Sequence, residues 1–420
     1  MKFEKLRQAK KILLYGYGVE GKSTEQFLSV KFGNIPVDIR DDFSLPASKQ
    51  LDFADYDVII RSPGIPLQKV LNVEAEKITS QTELFFENLT ESERQKIIGI
   101  TGTKGKSTTT QFCTDLLTNA GKKVKIAGNF GVPPLELFEE LQDEKLDLIV
   151  FEASSFQLEH LSVSPHIAIF LNLFGDHLDR HGTKEDYFLA KSNIFRYQNE
   201  EDFLIVPEVS GQLLEFTRGN GRFVLASPLE ENLFAEASVF KALHFRQNLG
   251  TMRTLCAILS IPETTLVKTA QEFKGLFHRL ELFVEKNEIR FVNDTIAVNP
   301  TATLAAVNFF KKDLGTIILG GRPSGDTWEE LLTVILNETE AILLLPDGES
   351  FDALLVATQA MNFPPDRMVQ AKHLEDVVAL AFEKTPSGKV CLLSPGAKSF
   401  DCFKNYRERG NTFKKLVEQY

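Results

Sequence analysis

A chain of 420 residues is too long for one ordinary hydrophobic core, so two or three domains are expected. With 43% hydrophobic and 25% charged residues it reads as a soluble globular protein rather than a disordered one, and no apolar run is long enough to cross a bilayer. A formal net charge of −11 speaks against general binding of polyanions but leaves room for a local basic pocket that takes phosphates.

The N-terminal "MKFEKLRQAKKILLYGYG" has basic residues before a short apolar patch, too short for the core of a signal peptide, and reads as a first strand entering a glycine turn. "GKSTEQFLSVKF" follows as a helix, "IPVDIRDD" as a second strand, and "YDVIIRSPGI" as a third, stopped by Pro63 and Gly64. Strand and helix in alternation imply a parallel sheet with crossover helices. "ENLTESERQK" is polar and without apolar period, which places a boundary near residue 93. "KIIGITG" opens a second unit, with "KSTTTQFCTDLLTNAG" as its helix and "KVKIAGN", "LDLIVFEAS", "HIAIFLNL", "EDFLIVPE" and "GRFVLAS" as later strands. "HFRQNLGTMRTLCAILSI" has the spacing of an amphipathic helix. "FKGLFHRLELFVEKNEIRFVND" reads as strand, turn, strand and starts a third unit, continued by "LGTIILGG", "EAILLLPDG" and "KVCLLSPGA". Three α/β domains are expected, over residues 1–93, 94–276 and 277–420. Cys113, Cys256, Cys391 and Cys402 are scattered with no C-x-x-C pair, which argues against a zinc site or disulfide framework and for a reducing cytoplasm.

The tetrapeptide GKST occurs twice, in "YGYGVEGKST" and in "GITGTKGKSTTT". In the second copy Gly102, Gly105, Lys106 and Ser107 stand where a strand gives way to a helix. Glycines let backbone amides converge on phosphate oxygens, and the helix N-terminus adds unpaired N–H groups. Lys106 can bridge β- and γ-phosphates and Ser107 can ligate Mg²⁺, so the loop Gly102, Thr103, Lys104, Gly105, Lys106, Ser107 and Thr108 is the expected nucleotide cradle. It is a shorter variant of the G-x-x-x-x-G-K-[ST] pattern, since position 100 is Ile. The first copy carries Gly16, Gly18 and Gly21 in G-x-G-x-x-G spacing after the first strand, with Asp38 available to a ribose. It can be read as an NAD site, as a turn for another diphosphate, or as a structural turn.

"IVFEASSFQLEH" puts Glu152 at the end of a strongly apolar strand, where a carboxylate needs a cation or donors. Mg²⁺ held by Ser107 would satisfy it, as would a Lys or Arg partner. "LNLFGDHLDRHG" offers Asp176 and His177 as ligands of a second metal. His177 and His181 are four apart but lack the glutamate of H-E-x-x-H, which excludes that zinc protease motif.

"GITGTKGKST", Gly128-Asn129, "FEASSFQLE", "LNLFGDHLDRHG", "AKSNIF", "FHRLE", Asn293-Asp294 and "LLSPGAKSFDCFKNYRERGNTFKKL" occur in one order along the chain. Together they resemble the Mur ligase family, and most closely its MurD-type, glutamate-adding branch, from end to end. The resemblance implies an α/β protein of three domains, with Rossmann-like N-terminal and C-terminal domains flanking a P-loop ATPase-type central domain. It implies a cytoplasmic, monomeric, ATP- and Mg²⁺-dependent ligase that joins glutamate to UDP-N-acetylmuramoyl-L-alanine through an acyl phosphate. Carried over by position, Lys106 and Ser107 match the ATP loop, and Ser107, Glu152, His177 and Lys191 the metal ligands. Lys191 matches a lysine that the family carbamylates. Asn248 matches an adenine contact, Arg279 and Asp294 other ATP contacts, and Asn129 a muramoyl contact. Gly16, Tyr17, Arg40, Ser62, Pro63 and Gly64 fall where uridine diphosphate sits, while Ser399 and Tyr406 match contacts to the amino acid.

Three positions depart from the MurD-type pattern. Ile296 and Val298 replace a lysine and a threonine, and Ser324 stands where a further lysine is expected, with Arg322 nearby. All three belong to the amino-acid end of the site. The competing readings are a relative that adds L-glutamate or another amino acid, a folylpolyglutamate synthase, an ATP-binding regulatory module without ligase activity, and an NAD-dependent oxidoreductase.

Overall fold

In the computed structural model the described residues are all of 1–420 except 34, 42–52, 71, 175–176, 211–218, 231–242, 274, 324–326 and 400–401. They form two compact units, Met1–Phe273 and Lys274–Tyr420. The first unit holds two parallel sheets. One comprises β1 (Ile12–Tyr15), β2 (Val37–Arg40), β3 (Val58–Arg61) and β4 (Ile78–Thr79) in the order β2-β1-β3-β4. The other comprises β5 (Ile97–Thr101), β6 (Val124–Gly128), β7 (Leu148–Glu152), β8 (Ile167–Phe170), β9 (Phe203–Pro207) and β10 (Arg222–Ala226), in the order β10-β9-β8-β5-β7-β6. The second unit has one sheet of β11 (Glu281–Lys286), β12 (Ile289–Asn293), β13 (Leu314–Ile318), β14 (Ile342–Pro346), β15 (Met368–Ala371) and β16 (Val390–Leu393), in the order β11-β12-β16-β13-β14-β15. Among these described strands only β11 and β12 pair antiparallel, around the turn read in "VEKNEIR". β4 and β15 escape the sequence reading, because β4 is two residues long and β15, only partly buried, carries no continuous apolar run.

Alternation along the central strands builds two cores. Ile97, Ile149, Phe151, Ala168 and Phe170 face one side, where they join Leu6 of the N-terminal helix Phe3–Gln8 and Ile12, Leu14, Val58 and Ile60 of the first sheet in one apolar cluster. Ile98, Ile100, Val150, Ile167 and Ile169 face the other, against Phe112, Leu116 and Leu117 of the helix Lys106–Asn119. A strand buried on both faces reads as a continuous apolar run, which is why β5, β7 and β8 are so plain in the sequence.

The polar stretch near residue 93 is folded into a short capped helix. Thr90 and Glu93 form a reciprocal capping box that starts the helix Glu91–Arg94. Arg94 then turns inward, donating to both carboxylate oxygens of Asp202, at 3.0 and 2.8 Å, and to the Ser164 carbonyl. Asp202 is fully buried. Burial alone would raise its pKa; bonds from His166 and Arg94 outweigh that and hold it below the ordinary value of 3.8.

Removing one partner of such a pair strands the other charge. Asp202→Ala is expected to cost about 3–5 kcal/mol in urea denaturation at neutral pH. Because the folded pKa is depressed, the stabilisation is present above pH 3.8 and lost as the pH falls through the lower value held in the fold. The gap between wild type and Asp202→Asn should therefore narrow in acid.

Candidate active site

The loop after β5 is shaped by two glycines, Gly102 at φ 157° and Gly105 at φ 83°. Gly105 is the N-cap of the helix Lys106–Asn119, so the helix begins on Lys106 itself. A Cβ at Gly105 would come within 2.3 Å of the Asn248 side-chain amide, so Asn248, in the helix Leu243–Ile258, lies directly on the loop. Lys106 folds back over the turn, its Nζ 2.9 Å from the carbonyls of both Gly102 and Thr103. Asn172, just past β8, straps the loop from outside. Its Oδ1 accepts from the amides of Thr103 and Lys104, and its Nδ2 donates to the Lys104 carbonyl. Thr103 Oγ1 lies 3.2 Å from the Tyr187 hydroxyl. Asn172 and Tyr187 were not singled out from sequence. A polar residue directly after an apolar strand was the available signal for Asn172, since it is the one that marks Glu152.

Glu152 ends β7, fully buried. Its Oε1 accepts from Asn129 Nδ2 at 2.8 Å, while its Oε2 is shut from water and has no hydrogen-bond partner. Among the described residues no three of His, Cys, Asp and Glu converge as a metal site. Magnesium takes as little as one or two carboxylates, and a buried carboxylate oxygen without a donor suits a cation. Lys191, in the helix Lys184–Arg196, is 1% exposed. Its Nζ reaches the Gly102 carbonyl at 3.0 Å and Thr101 Oγ1 at 3.3 Å, over the Tyr187 ring. His177 is exposed, at φ 53°, with its ring 5.0 Å from that of Phe156. His181 stacks on Phe156, and burial together with the charges of His177 and Lys191 lowers its pKa. Asp176 lies outside the described residues.

The first GKST copy is built differently. Gly18 is the N-cap of the helix Val19–Phe32, so Gly21 is the third helical residue and Lys22 the fourth. A Cβ at Gly21 would strike the Gly16 carbonyl at 2.4 Å, and Gly16, at φ 96°, accepts there a hydrogen bond from Ser62 Oγ. Lys22 rests over the Tyr17 ring instead of wrapping the loop. Asp38 precedes the end of β2 and is engaged by the Tyr56 hydroxyl and by Lys11, which hold its pKa down. A ribose anchor would need that carboxylate unengaged at the strand end, and the NAD reading loses its support. Arg40 ends β2 beside the same turn, pairing in register with Tyr15.

Polar links join the carboxyl edges of the two sheets. Arg61, fully buried at the end of β3, meets Glu159 at 2.5 Å and His160 at 3.3 Å. Burial followed by the Arg61 charge pushes His160 down to about 4. Arg180 donates to the carbonyls of Pro63 and Gly64 and lies over Phe156. Ser62, Pro63 and Gly64 are thereby brought to the "HLDRHG" segment.

In the second unit Asp294 follows β12, buried, accepting from Ser394 Oγ at 2.7 Å and from the Leu280 amide. Burial raises its carboxyl to about 6, moderated by those bonds and by the charge of exposed Arg279. Arg409 knits the neighbouring loops, donating to Thr295 Oγ1 and to the carbonyls of Thr295 and Ala397. Ser399 is buried and Tyr406 starts the helix Tyr406–Gln419. Arg322 and Lys398 pair through their backbones, while Ser324 lies outside the described residues. A cleft of about 260 Å³ opens where β13 and β16 end, lined in part by Gly320, Asp347, Lys372 and Arg409.

Residues 100–253 match the Mur ligase middle domain. The UDP-N-acetylmuramoylalanine–D-glutamate ligase of Acetivibrio thermocellus is 34% identical over 86% of this chain and 82% of its own length. That of Koribacter versatilis is 30% identical over 98% of both. Among solved structures, the UDP-N-acetylmuramate–alanine ligase MurC of Thermotoga maritima superposes with a TM-score of 0.58 at 16% identity, over 97% of this chain and 99% of that one. The MurF ligase of the same organism, solved with ADP, gives 0.57 at 15% identity, over 98% and 96%. The structural likeness bears on the fold alone. With sequence identity sustained across both compact units as well as the glycine loop, the chain belongs to the Mur ligase family.

Proposed function

We propose that the protein is an ATP-dependent ligase that adds D-glutamate to UDP-N-acetylmuramoyl-L-alanine in peptidoglycan precursor synthesis. The observation that carries this is identity to D-glutamate ligases over 98% of the chain, so that both ends are matched as well as the ATP loop. A folylpolyglutamate synthase or a bare ATP-binding module would leave that full-length match unexplained. The reaction belongs in the cytoplasm, where ATP and nucleotide sugars are found.

In this reading the alanyl carboxylate of the acceptor attacks the γ-phosphorus of ATP, releasing ADP and forming an acyl phosphate. The amine of D-glutamate then attacks the acyl carbon, and inorganic phosphate leaves. The protein's share is positioning and charge neutralisation. The first amides of the helix Lys106–Asn119 cradle phosphate oxygens. Lys106 exchanges its carbonyl contacts for the phosphates, and Asn248 sits where adenine would lie against the loop. Arg279 and Asp294 complete the ATP contacts. Gly16, Tyr17, Arg40, Ser62, Pro63 and Gly64 take the uridine diphosphate, and Asn129 the muramoyl group. Ser107, Glu152, His177 and a carbamylated Lys191 would hold Mg²⁺, which supplies positive charge to the phosphates when bound.

Lys106→Ala is expected to lower turnover roughly a hundredfold or more. Lys22→Ala should instead change acceptor KM or stability. Phosphate release measured against each substrate checks both; the opposite pattern would reverse the assignment of the two GKST copies. Lys191→Ala should be nearly inactive and partly rescued by short carboxylates such as acetate. Full activity without rescue would remove Lys191 from the metal site.

The amino-acid pocket has lost a lysine and a threonine to Ile296 and Val298, neither of which can donate to a side-chain carboxylate. Buried Ser399 is one matched donor that remains, beside Tyr406, with Arg322 or Lys398 as charged partners. Ser399→Ala should raise the D-glutamate KM about tenfold, while the ATP and acceptor KM values stay within about twofold. A panel of amino acids assayed by phosphate release reads the same pocket, and discrimination should be weaker than where both lysines are present. Strict D-glutamate use that is indifferent to Ser399, Arg322 and Lys398 would place the carboxylate elsewhere.

A further inference from the structure

Glu20 stands in the first turn of the helix Val19–Phe32, inside the glycine turn that ends β1. An acid there ordinarily lies in water and favours the helix dipole. This one turns to the neighbouring sheet. Its Oε1 accepts a 2.7 Å hydrogen bond from Gln157 Nε2. Its Oε2 is shut from solvent and has no hydrogen-bond partner. The Gln157 amide cannot turn over without loss, because its Oε1 already accepts from Ser154 N at 3.0 Å and Ser154 Oγ at 3.1 Å, in the capping box of the helix Ser155–Leu158. Its Nε2 is therefore committed to Glu20. Gln81 donates to the Glu20 carbonyl and to Thr24 Oγ1, so the backbone of residue 20 is fixed as well.

Burial is the largest influence on this carboxyl and pushes it up to about 7, against the Gln157 bond and the charge of Arg61 on β3. Gln157 and Gln81, its other polar neighbours, are neutral. An acid half-desolvated in this way does little for stability. What it does supply is a direct connection. β7 ends at Glu152, and two residues later Ser154 opens the capping box that aims Gln157 at the glycine turn.

We propose that Glu20 is a positioning residue for the acceptor: through Gln157 it sets the glycine turn of the first sheet against the loop that follows Glu152. An acceptor bound at the turn then meets the ATP loop at one distance. This rests on the ligase reading above and names a residue that the family resemblance did not assign.

The geometry allows the polarity of the link to be exchanged. Gln157→Glu keeps the capping box, which accepts Glu as readily as Gln, but sets two carboxyls face to face. Adding Glu20→Gln restores a donor. Binding of UDP-N-acetylmuramoyl-L-alanine is read by calorimetry without ATP, and binding of ATP separately. Q157E is expected to weaken acceptor binding about tenfold with ATP binding within about twofold, and E20Q/Q157E to recover it to within about threefold. Acceptor binding unchanged in Q157E, or lost equally in the double variant, would overturn the proposal. Where Q157E does not fold, Glu20→Leu, which leaves the capping box untouched, should show the same loss, and unchanged acceptor binding there would overturn it too. Wild-type protein that binds the acceptor but releases no phosphate with ATP and D-glutamate would count against the ligase reading alone. Failure of the wild type to bind the acceptor would overturn both.

Discussion

The site depends on holding the turn between Gly102 and Lys106 in one shape, so that the helix beginning at Lys106 presents its first amides where β5 ends. The loop must therefore be held from its outer side. Asn172 does this by accepting two of its amides and donating to its carbonyl, while Asn248 closes over Gly105 and Tyr187 touches Thr103. These groups reach the loop because β8 lies beside β5, and the crossover order β8-β5-β7 puts polar strand ends on both flanks. Glu152 arrives from the other flank for the same reason. The chemistry is therefore set by strand order before it is set by any one residue.

The two GKST copies show how little a tetrapeptide decides by itself. In the second, the glycine has φ 83° and caps the helix, so the lysine is the first helical residue and can fold over the turn. In the first, the helix has begun three residues earlier in the motif, at Val19, and the same glycine is packed against the Gly16 carbonyl. Its lysine emerges a turn further on and finds Tyr17. The difference lies upstream, in "GTKG" against "GVEG", where Gly18 takes over the cap.

Much of this was legible in the chain. Buried parallel strands are continuous apolar runs, and the polar residue that ends each one marks the carboxyl edge where ligands gather. Glu152 is found that way from residue type and position alone. Lys191 is not: before the resemblance is brought in, it is one more lysine in an amphipathic helix, and only the fold shows that it is buried against Gly102. Arg94 is silent in the sequence for a related reason. It stands in a polar stretch without period, and only the fold shows it buried against Asp202. Periodicity reports the apolar faces and is silent on which polar side chains pair across more than a hundred residues.

Those long-range polar pairs are placed unevenly. The apolar cluster shared by the two sheets of the first unit supplies the bulk of their adhesion, and apolar adhesion is non-directional. It would tolerate a sliding of one sheet on the other by a fraction of an ångström. The buried polar links at the carboxyl edges would not, because a hydrogen bond or ion pair loses most of its value when its geometry is spoiled. Arg61 to Glu159 and Gln157 to Glu20 both stand at that edge, beside the turns proposed to take the phosphates and the acceptor. Their desolvation makes them poor sources of stability and good determinants of position. In a reaction that requires a carboxylate to be aimed at a γ-phosphorus, position is what the scaffold has to deliver.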